Sequence, residues 1–313
     1  MELTCAQTAG EAAPLLSVVV VNWNGAEYLG GCVDSVAGED REVLVVDNGS
    51  VDDSEARVRR GRAWLHWIAN GVNLGFGAAA NRGLSAARGE YVLFLNPDAR
   101  ANESAVSAAI GVLEANPAVG LVGVAIRGLD GAVTPTVEPL FSFRSLRRSR
   151  WVDRVEAPSG AGPVEIDWCH GVFLLGRRTE LMALGGFDER YFLYAEDMDL
   201  CHRVHESGRR VVYLPWVSIV HEGNRAGRVL LAERRAAAIF ASSLRFYDRH
   251  HGPAARVWLR LTAGITFAVR ASLCRLRRDG PRAERYGAMV RVAFGLSPDL
   301  FPVRPRSVGG WTE

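Results

Sequence analysis

A chain of 313 residues, 48% of them hydrophobic, is long enough to bury a large core, and its composition excludes collagen-like, coiled-coil and disordered proteins. Its formal net charge of +2 provides no bulk attraction to nucleic acid, so we expect no nucleic-acid partner. Five cysteines without paired metal-ligand spacing indicate neither a disulfide framework nor a structural zinc site, which favours a reducing cytosol.

The first two thirds of the chain alternate predicted strands with predicted helices. Apolar runs predict strands at 16–21, 42–46, 91–95, 119–124, 172–175 and 211–214, and helical periodicity predicts helices at 26–37, 78–88 and 101–114. This alternation predicts an α/β fold, an open sheet with its ligand beyond the carboxyl ends of the strands. A hairpin turn is predicted at Asp130-Gly131, and 135–163 is expected to be a mobile loop.

Three long helices are predicted after the last strand, at 228–249, 254–277 and 282–294. We therefore divide the chain into a flexible N-terminus (1–15), a catalytic α/β domain (16–225), a helical extension (226–296) and a tail (297–313). No run reaches the roughly 18 to 20 uncharged apolar residues of a spanning helix, and no secretion signal is recognised at the N-terminus. These patterns predict a cytoplasmic protein, either soluble or peripheral on the inner face of the cell membrane.

Polar clusters follow the first two strands. Asn22 and Asn24 follow the first, and Asp47 and Asn48 follow the second. A carboxylate at a strand end followed by Asn-Gly can contact a nucleobase or ribose, but the same residues also form a plain Asx turn that caps the next helix. Both interpretations can hold together.

A glycine-rich segment precedes the second predicted helix. It contains Asn73, Gly75, Phe76, Gly77 and Asn81. Small residues before a helix let the backbone approach a phosphate at the helix amino end. The segment also matches a loose dinucleotide fingerprint, but it does not follow the first strand, which argues against a nicotinamide or flavin enzyme.

Two candidate metal ligands each follow a predicted apolar strand. In the sequence Asn-Pro-Asp, the proline stiffens the turn after Asn96, and Asp98 can hold a divalent cation against a diphosphate. Asp98 is equally suited to cap a helix. His221 is a candidate second ligand, although a single histidine after a strand is more often packed or exposed.

Residues 185–197 join glycines and aromatics to an acidic pair, Glu196 and Asp197, with Asp199 and Arg203 following at helical spacing. Aromatic side chains around a carboxylate lower the local dielectric and favour a general base. The alternative is an ordinary helix start, because acidic residues favour the positive end of the helix dipole. Asp199 and Arg203 are expected to pair.

Six motifs in this order resemble glycosyltransferase family 2. They are Asn-Trp-Asn-Gly (22–25), Val-Asp-Asn-Gly-Ser (46–50), Asn-Leu-Gly-Phe-Gly (73–77), Asn-Pro-Asp-Ala (96–99), Gly-Gly-Phe-Asp-Glu (185–189) and Glu-Asp-Met-Asp-Leu (196–200). The resemblance covers about residues 16–222 and is closest to bacterial rhamnosyltransferases that act on lipid-linked cell-envelope intermediates.

The resemblance implies a GT-A (Rossmann-like) fold, with an open mixed sheet flanked by helices, and inverting sugar transfer from a nucleoside diphosphate donor with Mg²⁺ or Mn²⁺. It implies that Asp47 contacts the donor base, Asp98 and His221 bind the metal, and Asp197 is the catalytic base. Glu196, Asp199 and Arg203 would support that base. The first acid of the family's Asp-x-Asp is replaced here, which leaves a single carboxylate in that motif.

The resemblance also implies two sets of substrate contacts. Trp168 and His170 fall where relatives line the acceptor pocket, although core packing of Trp168 is as well supported. The donor-binding residues would be those of the polar and glycine-rich clusters: Asn22, Asn24, Asp47, Asn48, Asn73, Gly75, Phe76, Gly77, Asn81 and Asn96.

The C-terminal helices mix apolar residues with arginines. Such a basic amphipathic stretch suits an anionic membrane surface that presents a polyprenyl-linked acceptor. The alternative is a helix packed on the catalytic domain with its arginines in water.

The favoured donor is dTDP-L-rhamnose, with a glycan or lipid-linked acceptor. The alternative is a UDP-sugar, carrying galactofuranose or N-acetylglucosamine, with a polysaccharide or a soluble natural product as acceptor. More remote alternatives are a sugar nucleotidyltransferase, whose basic glycine-rich signature is missing after the first strand, and a non-catalytic nucleotide-sugar binder.

Overall fold

The computed structural model describes residues 13–134, 137–138, 160–222 and 234–296, with only the backbone described at 137–138. Several predictions lie wholly or partly outside these residues. They concern most of the flexible N-terminus, most of the loop at 135–163, the boundary near Arg225, the first turns of the helix at 228–249 and the tail at 297–313.

Twelve strands are found in the described residues. They are β1 (Leu16–Asn22), β2 (Arg41–Asp47), β3 (Leu65–Ala69), β4 (Tyr91–Leu95), β5 (Ala99–Arg100), β6 (Val119–Arg127), β7 (Val133–Thr134), β8 (Val137–Glu138), β9 (Val164–Ile166), β10 (Trp168–Cys169), β11 (Phe173–Arg177) and β12 (Arg210–His221).

Nine α-helices lie in the same part of the chain. They are α1 (Leu29–Asp34), α2 (Ser54–Arg59), α3 (Phe76–Ala86), α4 (Glu103–Ala115), α5 (Arg178–Ala183), α6 (Glu196–Glu206), α7 (Arg235–His250), α8 (Pro253–Leu276) and α9 (Gly280–Ala293).

Ten of the strands form one mixed sheet, whose main path runs β3-β2-β1-β4-β11-β6-β12-β5. Strands β3, β2, β1 and β4 are mutually parallel, β11 is antiparallel to both β4 and β6, and β12 is parallel to β6. The carboxyl ends of β1, β2, β4, β6 and β12 therefore meet at one edge of the sheet. This confirms the predicted open mixed sheet and the edge at which its ligand is expected.

The sheet is buried on both faces, as its uninterrupted valine-rich strands predict. Val18 and Val20 of β1 pack in one hydrophobic core with α1 and α4. Val19 and Val21 point to the opposite face and pack with α3, α5 and α6. The predicted layers of helix, sheet and helix are thus present.

A third hydrophobic core joins the helical extension to the α/β part. Helices α7, α8 and α9 contribute most of it, and Tyr191, Ala195 and Met198 of the segment leading into α6 are also members. The extension therefore shares its core with the segment that contains the predicted catalytic carboxylate.

Helix α8 is long and apolar enough to cross a membrane, judged by length and composition alone. Core helices of soluble proteins pass the same test, and one face of α8 is packed: Leu259, Ala263 and Phe267 are buried. An apolar stripe on its opposite face is exposed.

Several element boundaries differ from the sequence-based expectation. Helix α1 spans only six residues instead of the predicted 26–37, and β12 extends to His221, merging two predicted apolar runs. The sequence does not predict strand β3, because His66 interrupts its five residues and leaves an apolar run of only three. The hairpin at Asp130-Gly131 is confirmed: β6 and β7 pair antiparallel around it, with Gly131 at a φ of 77°.

Candidate active site

The ends of β1 and β2 meet in a polar network. Asn22 lies opposite Asp47 in the sheet, and its Nδ2 donates to Asp47 Oδ1 over 2.9 Å. The Ser50 backbone N–H and hydroxyl also donate to the Asp47 carboxylate, at 3.1 and 2.5 Å. Three hydrogen bonds therefore fix the carboxylate that is predicted to contact the donor base. The interpretation as a cap on the next helix is not confirmed, because Asp53, the N-cap residue of α2, makes no side-chain cap hydrogen bond.

Asn24 links the loop after β1 to the loop after β2. Its backbone N–H donates to Ser50 Oγ over 2.9 Å, and its side-chain Oδ1 accepts from the Val51 N–H over 2.8 Å. Asn24 has a φ of 53°, a left-handed conformation that asparagine tolerates better than most residues. The two polar loops thus form one rigid unit at the edge of the sheet.

Asn48 organises the glycine-rich segment. Its Nδ2 donates to Asn73 Oδ1 and to the Gly75 carbonyl, and its Oδ1 accepts from the Leu74 N–H and from the Asn70 side chain. All four of its amide hydrogen-bonding positions are thereby used within the protein. The contacts observed for Asn48 and Asn73 are structural, and their contact with a donor stays a prediction.

The glycine-rich segment also packs tightly against residues 187–192. Gly75 has a φ of 85°, and a Cβ there would lie 2.4 Å from the Phe192 carbonyl oxygen. A Cβ at Gly77 would lie 3.2 Å from Phe187 Cβ, and Phe76 makes an edge-to-face ring contact with Phe187. These glycines therefore permit a close approach between two parts of the protein.

Asn81 on α3 clamps the backbone of the predicted catalytic segment. Its Oδ1 accepts from the Phe187 N–H and its Nδ2 donates to the Phe187 carbonyl, both over 2.8 Å. A Cβ at Gly186 would lie 2.2 Å from Asn81 Oδ1, so glycine is required there. The predicted donor contact of Asn81 thus competes with a structural role that uses both ends of its amide.

The two predicted metal ligands are brought together. His221 Nε2 lies 3.0 Å from Asp98 Oδ1, and both side chains are more than nine-tenths buried. Strand β5 pairs Ala99 with His221, and the Glu222 N–H donates to the Asp98 carbonyl. Backbone pairing therefore fixes the approach of two ligands that are 123 residues apart in the chain.

The consecutive residues Gly171 and Val172 connect the Asn-Pro-Asp turn, which contains Asp98, to the predicted catalytic carboxylate of Asp197. The Asn96 N–H donates to the Val172 carbonyl over 3.1 Å, and the Gly171 N–H donates to Asp197 Oδ2 over 2.8 Å. The Asn-Pro-Asp turn and the start of α6 consequently flank the same short stretch of backbone.

Glu196 and Asp197 are adjacent in sequence but differ in environment. Asp197 is half-buried, and its carboxylate accepts from the N–H groups of Gly171 and Met198, both over 2.8 Å. Glu196 is buried, and its Oε2 has no hydrogen-bond partner among the described residues. Burial, and then repulsion from Asp197, raises the pKa of Glu196 well above its ordinary value of 4.5. The two backbone N–H donors thus favour the ionised form of Asp197, whereas burial favours the protonated form of Glu196.

Asp199 is fully buried and forms the predicted pair with Arg203, at 2.7 Å. It also lies 2.7 Å from His250 Nε2 on α7. Arg203 in turn donates to the carbonyls of Leu184 and Gly186. This cluster joins α6 to the helical extension and to the glycine turn before the aromatic segment.

Residues 17–170, about half of the chain, match the family model described as Glycosyl transferase family 2. The chain carries a glycosyltransferase family 2 domain. The prediction that this protein is a glycosyltransferase is confirmed.

Two curated relatives resemble this glycosyltransferase over most of its length. An N-acetylglucosaminyl-diphospho-decaprenol L-rhamnosyltransferase of Mycobacterium tuberculosis is 29% identical over 297 residues, covering 83% of this chain and 90% of the relative. The rhamnosyltransferase WbbL of Escherichia coli is 23% identical, covering 68% and 86%. The resemblance to rhamnosyltransferases of lipid-linked intermediates is therefore confirmed.

Solved structures with low sequence identity share the fold of the glycosyltransferase. The mannosyltransferase PcManGT from Pyrobaculum calidifontis, solved with GDP-Man and Mn²⁺, has a TM-score of 0.58 at 21% identity and covers 91% of this chain and 87% of its own. GalNAc-T7, solved with UDP, GalNAc and Mn²⁺, has a TM-score of 0.54 at 14% identity and covers 78% of this chain and 52% of its own. The predicted GT-A fold is confirmed.

Trp168 and His170 of the glycosyltransferase lie beside the Gly171 contact to Asp197, with ring centroids 5.1 Å apart. Trp168 packs against two hydrophobic cores, and its indole Nε1 has no partner within the described ranges. The core-packing interpretation of Trp168 therefore holds, and the acceptor role of both residues stays a prediction.

Helix α7 makes three contacts to the predicted catalytic segment that the sequence does not predict. Arg235 donates to the Tyr194 hydroxyl, Ser242 donates to the Leu193 carbonyl, and Arg249 pairs with Asp188 at 2.7 Å. Each contact spans more than 40 residues, and no local pattern in the sequence signals it.

The backbone before α6 adopts a conformation that the sequence also does not reveal. Tyr194 and Ala195 have φ angles of 70° and 67°, so two consecutive non-glycine residues are left-handed. They turn the chain immediately before Glu196 and Asp197, the first two residues of α6.

Proposed function

We propose that this glycosyltransferase is an inverting, metal-dependent enzyme that transfers L-rhamnose from dTDP-rhamnose to a hydroxyl of a glycan or lipid-linked acceptor. The observation that carries the mechanism is the stretch Gly171–Val172, whose backbone binds Asp197 on one side and the Asn-Pro-Asp turn on the other. A base and a metal-binding carboxylate on either side of this short backbone stretch would suit a single displacement at a sugar carbon.

The donor and acceptor are proposed from the relatives. The Mycobacterium tuberculosis relative is named as an L-rhamnosyltransferase acting on N-acetylglucosaminyl-diphospho-decaprenol, and the Escherichia coli relative as a rhamnosyltransferase. Their similarity over most of the chain favours the same sugar and a polyprenyl-linked acceptor. A UDP-sugar carrying galactofuranose or N-acetylglucosamine is the alternative donor.

Asp98 and His221 fit a divalent cation. Neighbouring ligands of an octahedral ion with bonds of about 2.1 Å lie about 3 Å apart, and Asp98 Oδ1 and His221 Nε2 are 3.0 Å apart. A carboxylate with an imidazole suits Mn²⁺ or Mg²⁺ held jointly with a diphosphate, and the two structural neighbours contain Mn²⁺. When bound, such an ion would stabilise the negative charge of the departing nucleoside diphosphate.

Asp197 is suited to remove the proton of the acceptor hydroxyl. Two backbone N–H groups hold its carboxylate in place and stabilise its ionised form. The raised pKa of Glu196 favours its protonated form, which would avoid a second negative charge beside Asp197. On this proposal Asp197 accepts the proton as the hydroxyl oxygen attacks from the face opposite the leaving group.

Helix α8 supports the proposed peripheral location on an anionic membrane at the cytoplasmic face. Exposed apolar side chains form a stripe opposite its packed face, and they are Val257, Leu261, Ile265, Val269 and Leu276. Exposed arginines follow at its C-terminal end, at 275, 277 and 278. Cosedimentation with phosphatidylglycerol vesicles tests this location, because Ile265→Glu should release the protein and phosphatidylcholine vesicles should bind it weakly.

The central experiment separates donor binding from sugar transfer. We expect dTDP-rhamnose with Mn²⁺ to raise the melting temperature, and UDP-sugars to raise it less. Asp197→Asn should retain this shift and lose transfer to an N-acetylglucosaminyl-diphospho-polyprenol. The control Asp53→Asn changes the exposed carboxylate of the α2 N-cap residue and should retain both.

Other results would identify the alternatives. A non-catalytic nucleotide-sugar binder would show the melting shift without transfer by the unmodified protein. A sugar nucleotidyltransferase would release diphosphate from a nucleoside triphosphate and a sugar phosphate. Transfer by Asp197→Asn at the native rate would contradict the proposed base.

A further inference from the structure

Three metal-ligating side chains converge where the C-terminal half of α6 meets the end of α7. His202, Glu206 and His250 each offer one ligand atom, and these atoms all lie within 4.8 Å of one another. Among the residues that the structure describes, this is the one group of three such side chains, and it does not include Asp98 or His221.

The position of two of the ligands follows from helix geometry. His202 and Glu206 are four residues apart on α6, so they share one face of the helix, and His202 Nε2 lies 3.5 Å from Glu206 Oε1. His250 approaches this face from α7, with its ring centroid 4.3 Å from that of His202. Two helices thus present nitrogen and oxygen ligands to a common point.

The contact with Asp199 favours one tautomer of the His250 imidazole. His250 Nε2 lies 2.7 Å from the fully buried Asp199 carboxylate, which favours a proton on this nitrogen. Nδ1 then keeps the lone pair that a cation requires. A carboxylate that hydrogen-bonds the second nitrogen of a histidine is the usual outer partner of metal-binding histidines.

The donor set indicates the class of ion. Two imidazoles and one carboxylate, without a thiolate, suit Zn²⁺ or a similar transition metal better than Mg²⁺. Ligands of a tetrahedral zinc ion lie about 3.3 Å apart for bonds of about 2.0 Å. The three ligand atoms, which lie within 4.8 Å of one another, must therefore move closer together when the ion binds. Glu206 can supply this movement, because its side chain is 59% exposed.

We propose that His202, Glu206 and His250 bind one Zn²⁺-class ion, with water completing its coordination. The ion would link α6, whose second residue is the predicted base Asp197, to the helical extension. This site is separate from the ion proposed at Asp98 and His221, and it does not depend on the identity of the donor or acceptor.

Zn²⁺ binding is best measured on the untagged full chain after treatment with EDTA, without nucleotide sugar. We expect Zn²⁺ to raise the melting temperature in a concentration-dependent manner. Glu206→Gln should weaken binding at least tenfold, since it removes an exposed ligand with little effect on the fold. The matched control Glu284→Gln alters an exposed glutamate on α9 and should bind like the native chain.

Asp98→Asn distinguishes the two ion sites. We expect it to retain the Zn²⁺ shift, and Co²⁺ added to the native chain should give the visible absorption of a tetrahedral site, which Glu206→Gln and His202→Gln should lose. The proposal is overturned if Zn²⁺ produces no shift, if Glu206→Gln binds like Glu284→Gln, or if Asp98→Asn alone removes the shift.

Discussion

The pair Asp199–Arg203 allows a quantitative test of burial, because α2 provides a matched exposed pair. Both are Asp–Arg pairs with four-residue spacing, at 2.7 Å for Asp199–Arg203 and 2.6 Å for Asp53–Arg57. The side chains are 0% and 13% exposed in the first pair, and 54% and 59% exposed in the second. Sequence spacing is thus the same and the distances are nearly equal, while burial differs and Asp199 has an additional contact with His250.

We expect Asp199→Ala to lower the free energy of unfolding by about 3 to 5 kcal/mol, because it leaves the buried Arg203 charge without its carboxylate. For a chain of this size that corresponds to a fall in melting temperature of roughly 6 to 20 °C. Asp53→Ala should cost about 0.3 to 0.5 kcal/mol, since water screens an exposed pair. Asp53 makes no side-chain cap hydrogen bond, so its replacement removes little else.

Urea denaturation followed by circular dichroism measures both free energies. Repeating it in about 1 M salt adds a second criterion, because salt should abolish the small effect of Asp53→Ala and leave that of Asp199→Ala nearly unchanged. Equal destabilisation by the two substitutions, or a loss of the Asp199→Ala effect in salt, would refute the reasoning.

Three further predictions follow from buried polar groups. Burial raises the pKa of Glu42, but hydrogen bonds from Ser17 and Arg88 outweigh this effect, and the pKa lies below 4.5. The native chain should therefore be more stable than Glu42→Gln at pH 7 and should lose that advantage as pH falls below about 4.5. Urea denaturation at several pH values measures the difference. The raised pKa of Glu196 has the opposite effect on stability, because the native chain loses stability as pH rises above 4.5. The free energy of unfolding of Glu196→Gln should therefore increase relative to that of the native chain by up to about 1.4 kcal/mol per pH unit, until the raised pKa is reached. Parallel pH profiles of the two melting temperatures would contradict this prediction. Asn81→Ala should cost about 2 to 3 kcal/mol by leaving two Phe187 backbone groups unsatisfied, whereas Asn81→Asp, which keeps the acceptor, should cost less in the same denaturation assay.

The sheet and its ligand-binding edge could be predicted because their signals are local. The valine-rich strands β1, β2 and β4 each end in polar residues, and parallel strands bring such ends together. The meeting of Asp98 with His221 needs more than this rule, because β11 and β6 lie between β4 and β12, and it is the short strand β5 that pairs Ala99 with His221. The sequence does not predict strand β3, because His66 interrupts its apolar residues.

The hydrogen bonds that hold the candidate site in place could not be predicted, because they join segments that are distant in the sequence. Asn48 and Asn81 were interpreted as donor contacts, and the structure shows their amides holding the glycine-rich segment and Phe187. A motif reports that an asparagine occurs at a position, but it does not report which backbone groups the amide satisfies. Contacts such as Ser242 with the Leu193 carbonyl have no local pattern at all.

The turn formed by Tyr194 and Ala195 suggests a trade-off between the stability of the protein and the orientation of the Asp197 side chain. Left-handed residues that carry a Cβ cost of order 1 to 3 kcal/mol each, and glycine at 195 would relieve part of that cost. A freer hinge would also let the first turn of α6 move, so Asp197, the proposed base, would sample orientations in which it could not accept a proton from the acceptor hydroxyl. Variants selected for heat resistance alone should therefore drift toward glycine at this hinge and become slower catalysts.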